Sequence, residues 1–341
     1  MPYIIETLNL TKRFPQTKSY LELFMHPFRR KEITALENVT IQVKKGEIFG
    51  LLGTNGAGKT TLIKILCTLI LPNEGKAFVN GQNVTRNEKE IKQITGYVVS
   101  EERSFYWRLT GRQNLAFFAT LNNLNGWQAK KRIKEVIELV GLENDIDKIF
   151  QTYSSGMKQK LAFARGMLTN PPILFLDEPT RNIDPMAAQN LRRFIKDVIV
   201  TEQRKTVIIA TNNLNEAEEL CDRIAIINRG RLRICESTKL IKRILNQKNI
   251  YHIRLRGSFE YLNRKLPSSI LNGKIVTLSP DSSSNTAALL TLEIDREKDN
   301  ISEIIDGIIM SGIDIEAFYP KNFSLDEIFS KIIQRDTDDG S

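Results

Sequence analysis

Cysteine, histidine and long apolar runs are all scarce in this sequence of 341 residues. The three cysteines, Cys67, Cys221 and Cys235, are widely spaced, odd in number and form no CxxC pair. This pattern argues against a structural zinc site and fits a reducing cytosol. No apolar run approaches the ~18–20 residues needed to span a bilayer, and the first residues lack the basic-then-apolar layout of a secretory signal. We therefore expect a chain that does not itself cross a membrane.

The composition is that of a globular protein rather than a disordered one. Hydrophobic residues make up 41% and charged residues 26% of the sequence, which are ordinary values for a folded chain. Its length exceeds that of a usual single core, so we expect two domains. The net charge of +9 fits a solvated basic surface, and it leaves open an attraction to nucleic acid or to an anionic membrane.

The first 240 residues alternate between strand and helix patterns. Helical periodicity dominates at about 86–170, which predicts a helical subdomain within an α/β domain that has a largely parallel sheet. We expect strands at 3–10, 36–43, 47–52, 173–176, 207–210 and 224–227. We expect helices at 61–70, 114–121, 127–140 and 156–168.

The pattern changes at about residue 240. A β-α-β-β-α-β order at about 245–335 predicts a small ferredoxin-like α+β module. Its elements are expected at 251–255, 259–266, 275–278, 289–294, 301–310 and 313–318.

A glycine-rich run lies between the strand at 47–52 and the helix pattern that follows it. The run matches the P-loop pattern in full and is Gly53-Thr54-Asn55-Gly56-Ala57-Gly58-Lys59-Thr60, followed by Thr61. Such glycines let backbone N–H groups surround phosphate oxygens, and the next helix points its positive end at them. We expect Lys59 to reach the β- and γ-phosphates of ATP and the Thr60 hydroxyl to bind Mg²⁺.

A second motif places two acids directly after the apolar strand at 173–176. Ligand sites lie at the carboxyl ends of strands in open α/β sheets. Asp177 is therefore expected to hold Mg²⁺, and Glu178 to polarise the attacking water. Paired with the P-loop, these acids predict an ATPase.

A third motif opens the helix pattern at 156–168 and is Tyr153-Ser154-Ser155-Gly156-Met157-Lys158-Gln159. It resembles the LSGGQ signature of ABC ATPases, although Ser155 replaces a glycine and Met157 a glutamine. The order of the three motifs is similar to that of the nucleotide-binding subunits of ABC transporters. The resemblance implies that Ser154 and Gly156 bind ATP across a head-to-tail dimer, whereas Ser154 alone is also a good helix N-cap.

Further similarities extend over residues 3–240. Phe14 stands where the family has an aromatic residue that stacks on adenine, although a core phenylalanine is a fair alternative. The segment 179–185 resembles the D-loop, with Asp184 as its acid at the ATP site. The segments 215–230 and 324–329 resemble stretches found after the switch region and in the tails of exporter ATPases.

Two positions depart from the family pattern. Asn212 stands where the family has its switch histidine, and the histidines of this chain, His26 and His252, lie elsewhere in the sequence. Asparagine can donate a hydrogen bond but carries no positive charge, so we expect slow hydrolysis. The Q-loop glutamine is replaced by Glu101, or with a shift by Ser100; the Glu101 carboxylate could bind Mg²⁺.

An insertion at 15–32 resembles a segment found in ATPases that serve polysaccharide and teichoic-acid exporters. Its apolar residues, Leu21, Phe24, Met25 and Phe28, are followed by three basic ones. An interface with membrane-embedded partners or lipid headgroups would use such a face. A surface excursion packed on its own domain is an equal alternative.

The resemblance therefore implies a P-loop NTPase core of the ABC type at 1–240 and an accessory module at 245–335. ATP and Mg²⁺ are the expected cofactors, and separate transmembrane permease subunits and a second ATPase subunit, identical or related, are the expected partners. The expected location is the cytoplasmic face of the cell membrane, and the expected function is to power export. Two alternatives remain: a degenerate ATPase that regulates an active partner, and a non-transport ABC ATPase that acts on nucleic acid, which we expect less.

Overall fold

Three β-sheets organise the part of the chain that the computed structural model describes, which comprises residues 3–16, 32–99, 104–245, 248–266, 276–280, 287–295 and 301–321. The chain divides into two compact units, Met1–Thr238 and Lys239–Ser341. Across these described ranges, no helix is both long enough and apolar enough for a membrane span.

The first unit combines two sheets with a group of helices. In chain order its elements are β1 (Tyr3–Pro15), β2 (Glu32–Val39), β3 (Gln42–Lys44), β4 (Ile48–Leu52), α1 (Lys59–Leu66), β5 (Glu74–Val79), β6 (Gln82–Asn83), α2 (Glu88–Ile94), β7 (Thr95–Val99), α3 (Gly111–Leu121), α4 (Gly126–Val140), α5 (Ser155–Gly166), β8 (Ile173–Asp177), α6 (Pro185–Arg193), β9 (Thr206–Thr211), α7 (Leu214–Leu220), β10 (Arg223–Asn228) and β11 (Arg231–Ser237). A 3₁₀ turn at Phe150–Thr152 precedes α5, and π-helical turns at Phe194–Glu202 continue α6.

The larger sheet has the strand order β11-β10-β4-β9-β8-β7 and is parallel except at β11. Every residue of β4, β8 and β9 is buried, as their continuous apolar sequences predict for strands covered on both faces. Because parallel strands end at one edge, the segments that follow these three strands meet there. Those segments begin with Gly53, Glu178 and Asn212.

The smaller sheet has the order β2-β1-β5-β6, with β3 also paired to β1. The single strand expected at 36–43 is wrong, because it breaks between Val39 and Gln42. Thr7 occupies the break: its hydroxyl donates to the Val39 carbonyl at 3.0 Å and accepts from the Ile41 N–H at 2.9 Å. A side chain thereby replaces ladder hydrogen bonds where β1 changes partner, which alternation of apolar residues cannot indicate.

The helices α3, α4 and α5 pack on one another and occupy the later part of the range expected to be helical. The earlier part differs from the expectation, because β7 pairs in parallel with β8 and belongs to the sheet. Gly96 explains how this strand can lie under α5: a Cβ built there would be 2.3 Å from the Gly166 carbonyl oxygen. The absence of a side chain at Gly96 permits the close approach of helix and strand.

The second unit starts within α8 (Thr238–Leu245) and contains β12 (Lys248–Arg256), α9 (Phe259–Lys265), β13 (Val276–Pro280), β14 (Ala287–Asp295), α10 (Ile301–Met310) and β15 (Ile315–Lys321). Its antiparallel sheet has the order β13-β14-β12-β15. Buried side chains of both later helices, Leu262, Ile304 and Ile308, join Ile253 and Leu290 in one core. This β-α-β-β-α-β arrangement is the ferredoxin-like order that the sequence predicts.

We predict that Gly96→Ala destabilises the first unit by ~1–3 kcal/mol, because the new methyl group overpacks a backbone carbonyl that cannot rotate away. Chemical denaturation of the full chain measures the loss. Gly156→Ala is the matched control: its Cβ would make only an ordinary contact of 3.6 Å with the Ala187 Cβ, and its backbone is not left-handed, so alanine in this helix should cost no stability. Equal losses in the two variants would show that crowding at Gly96 is not the cause.

Candidate nucleotide-binding site

The loop between β4 and α1 wraps tightly against the edge of the sheet. Gly56 and Gly58 have φ of 79° and 109°, a left-handed backbone that favours glycine. A Cβ on Gly53 would lie 2.3 Å from the Ile227 carbonyl oxygen, and one on Gly58 would lie 2.4 Å from that of Ala35. The glycines of the motif therefore satisfy both the turn and its close packing, and the loop leads directly into the amino terminus of α1.

Lys59 folds back over this loop. Its Nζ donates to the carbonyl oxygens of Gly53 at 2.8 Å and Thr54 at 3.0 Å. Burial lowers the pKa of Lys59, while the carboxylates of Glu178 and Asp177 oppose that effect. The ammonium group and the backbone N–H groups at the start of α1 together form a positive pocket suited to an anion.

The Asp177 carboxylate is held from two sides at the end of β8. Oδ1 accepts from the Thr60 hydroxyl, and Oδ2 accepts from the Tyr97 hydroxyl, each at 3.1 Å. Burial raises the pKa of Asp177, and these two hydrogen bonds oppose the rise. Tyr97 lies on the adjacent strand β7 and was missed by sequence reasoning, because its signal depends on recognising that strand.

The oxygens of Thr60 and Asp177 suit a small, hard cation such as Mg²⁺, which prefers carboxylate and hydroxyl oxygens together with water and phosphate. The described residues contain no group of three His, Cys, Asp or Glu side chains that could hold a metal alone. A Mg²⁺ ion at this position would thus need phosphate oxygens and water to complete its coordination.

Glu178 follows with φ of 49°, an uncommon conformation for a residue other than glycine. Its backbone N–H donates to the Ala210 carbonyl at 2.8 Å, which ties the turn to β9. Its Oε2 accepts from the Arg181 guanidinium Nη1, also at 2.8 Å. The side chain is only 17% exposed; strand pairing fixes the turn that carries it, and the ion pair with Arg181 engages one of its carboxylate oxygens.

Asn212 follows β9 directly, and β9 lies between β4, which precedes the P-loop, and β8, which precedes Glu178. Its Nδ2 donates to Oδ1 of Asn55 in the glycine-rich loop at 3.3 Å. The structure thus brings Asn212 to the P-loop, as the sequence order predicts, but directs its amide at a side chain of that loop.

Ser154 and Asp184 both cap helices within this chain. The Ser154 hydroxyl accepts from the Met157 N–H at 3.2 Å at the start of α5, and Asp184 accepts from the Ala187 N–H at 2.8 Å at the start of α6. The N-cap alternative for Ser154 is therefore present, and its hydroxyl proton can still be donated to another group. A Cβ on Gly156 would meet the Ala187 Cβ at 3.6 Å, an ordinary contact.

Phe14 lies near the end of β1 and is 37% exposed, so it is not a core residue. The Lys12 ammonium lies 5.0 Å from the centre of that ring. Other predicted features lie outside the described residues, namely Glu101 with Ser100, the interior of the insertion at 15–32, and the tail at 324–329.

A cavity of about 950 Å³ joins the glycine-rich loop, the two acids and the helical subdomain. Lys59, Asp177, Glu178 and Arg181 line one part, and Trp107 and Lys158 line another. The volume lies at the upper end of the range usual for small-ligand sites. A parallel sheet that delivers a P-loop and an acidic pair to such a cavity defines a P-loop NTPase.

Comparison with known proteins narrows this class. A family model described as ABC transporter matches residues 36–181. The bacitracin transport ATP-binding protein BcrA of Bacillus licheniformis is 39% identical over 232 residues, covering 68% of this chain and 69% of that protein. YcbN of Bacillus subtilis, an uncharacterized ABC transporter ATP-binding protein, is 31% identical over 337 residues, which are 98% of each chain.

A solved structure shows the same fold. It is a dimeric ATP-binding cassette in a post-hydrolysis state with ADP and Pi, and it matches with a TM-score of 0.57 and 24% identity over 69% of this chain and 98% of that one. The chain therefore belongs to the ABC transporter family. It is the ATP-binding subunit of an ABC transporter, and it is an ATPase.

We predict that Tyr97→Phe costs ~1.5–3 kcal/mol in the free energy of unfolding, since it removes a donor to a buried carboxylate. Denaturant unfolding of the full chain without nucleotide measures the loss. Tyr106→Phe, which deletes a hydroxyl from a side chain that is half exposed, should change stability by no more than ~0.5 kcal/mol. If the two variants are equally stable, the Tyr97 hydrogen bond does not hold Asp177 in solution.

Proposed function

We propose that this subunit hydrolyses MgATP as a dimer at the cytoplasmic face of the cell membrane and so powers export through separate transmembrane subunits. The observation that carries the proposal is that Thr60, Asp177 and Glu178 lie together beside the P-loop at one edge of the sheet. A degenerate, purely regulatory subunit would have no need of Glu178 at this position.

Each group has a distinct role in the proposed reaction. The P-loop backbone and Lys59 bind the phosphates, with Thr61 at the start of α1 beside them, while Thr60 and Asp177 hold Mg²⁺, which neutralises charge on the phosphate oxygens. Glu178 accepts a proton from the water that attacks the γ-phosphate. Glu101 remains a proposed further oxygen ligand, and Asn212 a proposed donor near the γ-phosphate.

Other groups are proposed to bind the adenine base and to join two ATPase subunits in a dimer. We assign the exposed ring of Phe14 to adenine stacking. In the proposed dimer, the amino end of α5, with Ser154 and Gly156, binds the γ-phosphate of the ATP held by the other subunit. Asp184, at the start of α6, belongs to the same proposed interface. The dimeric form of the solved cassette supports this arrangement as an analogy of fold.

Exposed aromatic residues of the helical subdomain fit a docking surface for the transmembrane subunits. Tyr106 and Phe117 are 50% and 37% exposed, and their rings meet edge to face with centroids 4.8 Å apart. Aromatic residues are enriched at the centres of protein interfaces. The relative named as a bacitracin transport protein supports export, and the basic charge of the chain suits a peripheral position at an anionic membrane.

Two alternatives have less support. The hydrogen bond between Asn212 and Asn55 favours slow turnover, as a regulatory subunit would show. Lys59, Asp177 and Glu178 are nevertheless all present, and a subunit that had lost hydrolysis would not need all three. An ABC ATPase that acts on nucleic acid would suit the +9 charge, yet the named relatives are transport proteins.

We predict that Glu178→Gln abolishes ATP hydrolysis and allows ATP to trap a stable dimer, because the phosphates stay bound between two subunits. Light scattering measures the mass with and without ATP, and a malachite green assay measures phosphate release. Glu178→Gln combined with Lys59→Ala is the control and should stay monomeric, since nucleotide binding is lost. A monomer at every ATP concentration, even with the transmembrane partner present, would contradict the proposed assembly.

We predict that Tyr106→Ser with Phe117→Ser weakens docking to the transmembrane subunits by ~2 kcal/mol or more, while ATP binding by the isolated chain stays unchanged. Copurification with those subunits and nucleotide binding are the two measurements. Trp127→Ser, which removes a 71% exposed aromatic residue from α4, is the control. A fall in the thermal stability of the isolated chain, with docking intact, would assign the aromatic pair to packing instead.

A further inference from the structure

Hydrolysis of the γ-phosphate spreads negative charge over its oxygens, and donors already in place stabilise that charge. Several cationic or amide groups near the cavity are engaged elsewhere. Lys59 donates to two loop carbonyls, and the Lys158 ammonium lies over the rings of Trp107 and Phe150 at 5.3 and 5.8 Å. The hydrogen bonds of Lys59 therefore go to the loop, although its charge lies close enough to Glu178 for that carboxylate to act on its pKa.

Asn212 supplies no positive charge. Its side chain is neutral, its amide donates to Asn55, and it is not among the residues that line the cavity. Asn212 can therefore act as a neutral donor beside the P-loop, but it has no positive charge to offset the negative charge that develops on the γ-phosphate.

Arg181 lines the same cavity as Lys59, Asp177 and Glu178. It stands three residues beyond Glu178 in the loop between β8 and α6, where its backbone N–H donates to the Glu178 carbonyl at 3.1 Å. This tight turn puts the guanidinium group on the side of the Glu178 carboxylate, and Nη1 lies 2.8 Å from Oε2. Backbone and side chain thus both bring a permanent positive charge to the proposed general base.

A guanidinium group has five N–H donors in a planar fork, so it can bind a carboxylate and a phosphate oxygen at the same time. The Arg181 side chain is 61% exposed, and an ion pair in that setting is weak enough to rearrange. Exclusion of water from the cavity would strengthen its attraction to any anion nearby.

We propose that Arg181 is a further catalytic residue, whose guanidinium group binds the γ-phosphate oxygens as charge develops on them while Glu178 anchors its other edge. It supplies the positive charge that Asn212 lacks. The inference rests on the proposed hydrolysis of MgATP at this site and adds a second cation, after Lys59, to the groups that act on the γ-phosphate.

The test compares full-length variants, assembled with the transmembrane subunits, in MgATP hydrolysis and in two binding measurements. Arg181→Ala should lower kcat by about a hundredfold, the order expected for loss of one preorganised donor, with KM almost unchanged. Its affinity for ADP with aluminium fluoride, which mimics the transferring phosphoryl group, should fall by a similar factor, whereas its affinity for ATP without Mg²⁺ should not. Arg181→Lys should recover only part of the loss, because an ammonium group lacks the planar fork.

Two further variants sharpen the comparison. Asn212→His should raise kcat more in the Arg181→Ala background than in the wild type, since it restores a donor that can carry charge. Arg231→Ala is the matched control: it removes an arginine of similar exposure, 56%, from its pair with Glu37 in the same unit. That control should leave kcat unchanged. Arg181→Gln serves for the same measurements if the alanine variant fails to fold.

Each other outcome overturns the inference. A rise in kcat for Arg181→Ala would show that the ion pair inhibits Glu178 as a general base. An unchanged kcat would show that Arg181 forms an ordinary surface ion pair. Equal losses of affinity for ATP and for ADP with aluminium fluoride would place Arg181 in ground-state binding. If wild type itself releases no phosphate, the proposed function fails; if wild type is active and Arg181→Ala matches it, only this inference fails.

Discussion

The Asp177 carboxylate is the point on which the site depends, because it joins three elements that are distant in the sequence. Thr60 reaches it from the start of α1, and Tyr97 reaches it from β7, each with a hydrogen bond of 3.1 Å. The strand before the glycine-rich loop, β4, is not a neighbour of β8 in the sheet, since β9 lies between them. This carboxylate therefore sets the distance between the phosphate pocket and the proposed general base.

A buried carboxylate and a buried ammonium group cost free energy unless they are compensated. Burial raises the pKa of Asp177 and lowers that of Lys59, so it disfavours the charged form of each group. Hydroxyl donors and loop carbonyls compensate part of this cost. A phosphate with Mg²⁺ would compensate more, so nucleotide should stabilise the chain by mass action.

Much of the site could be predicted from sequence because its motifs are local. The spacing from Gly53 to Thr60 contains the whole phosphate loop, and the acids after β8 follow from one apolar run. Tyr97 and Arg181 were not predicted, because their roles depend on pairing between strands and on the direction of one side chain. Similarly, the break in the strand expected at 36–43 depends on a hydroxyl that is distant in the sequence.

The fold shows the same division between local pattern and distant contact. The ferredoxin-like order after residue 240 follows from the succession of strands and helices, each indicated by its own periodicity. The strand at Thr95–Val99, in contrast, was hidden within a range of helical character. Its glycine at position 96 weakens the apolar signal, yet that glycine is what allows α5 to approach the strand.

The open cavity explains why a single chain is expected to be a poor catalyst. The proposed general base and the cation beside it are 17% and 61% exposed, and water screens charges in such a setting. The interaction of two charges at a fixed distance grows severalfold as the surrounding dielectric falls. A second subunit that covers the cavity would thus strengthen the action of Lys59 and Arg181 on the γ-phosphate. Exclusion of water would then couple hydrolysis to assembly, in addition to the contacts that Ser154 and Gly156 make in the proposed dimer, and motion of the helical subdomain could transmit that closure to the transmembrane partner.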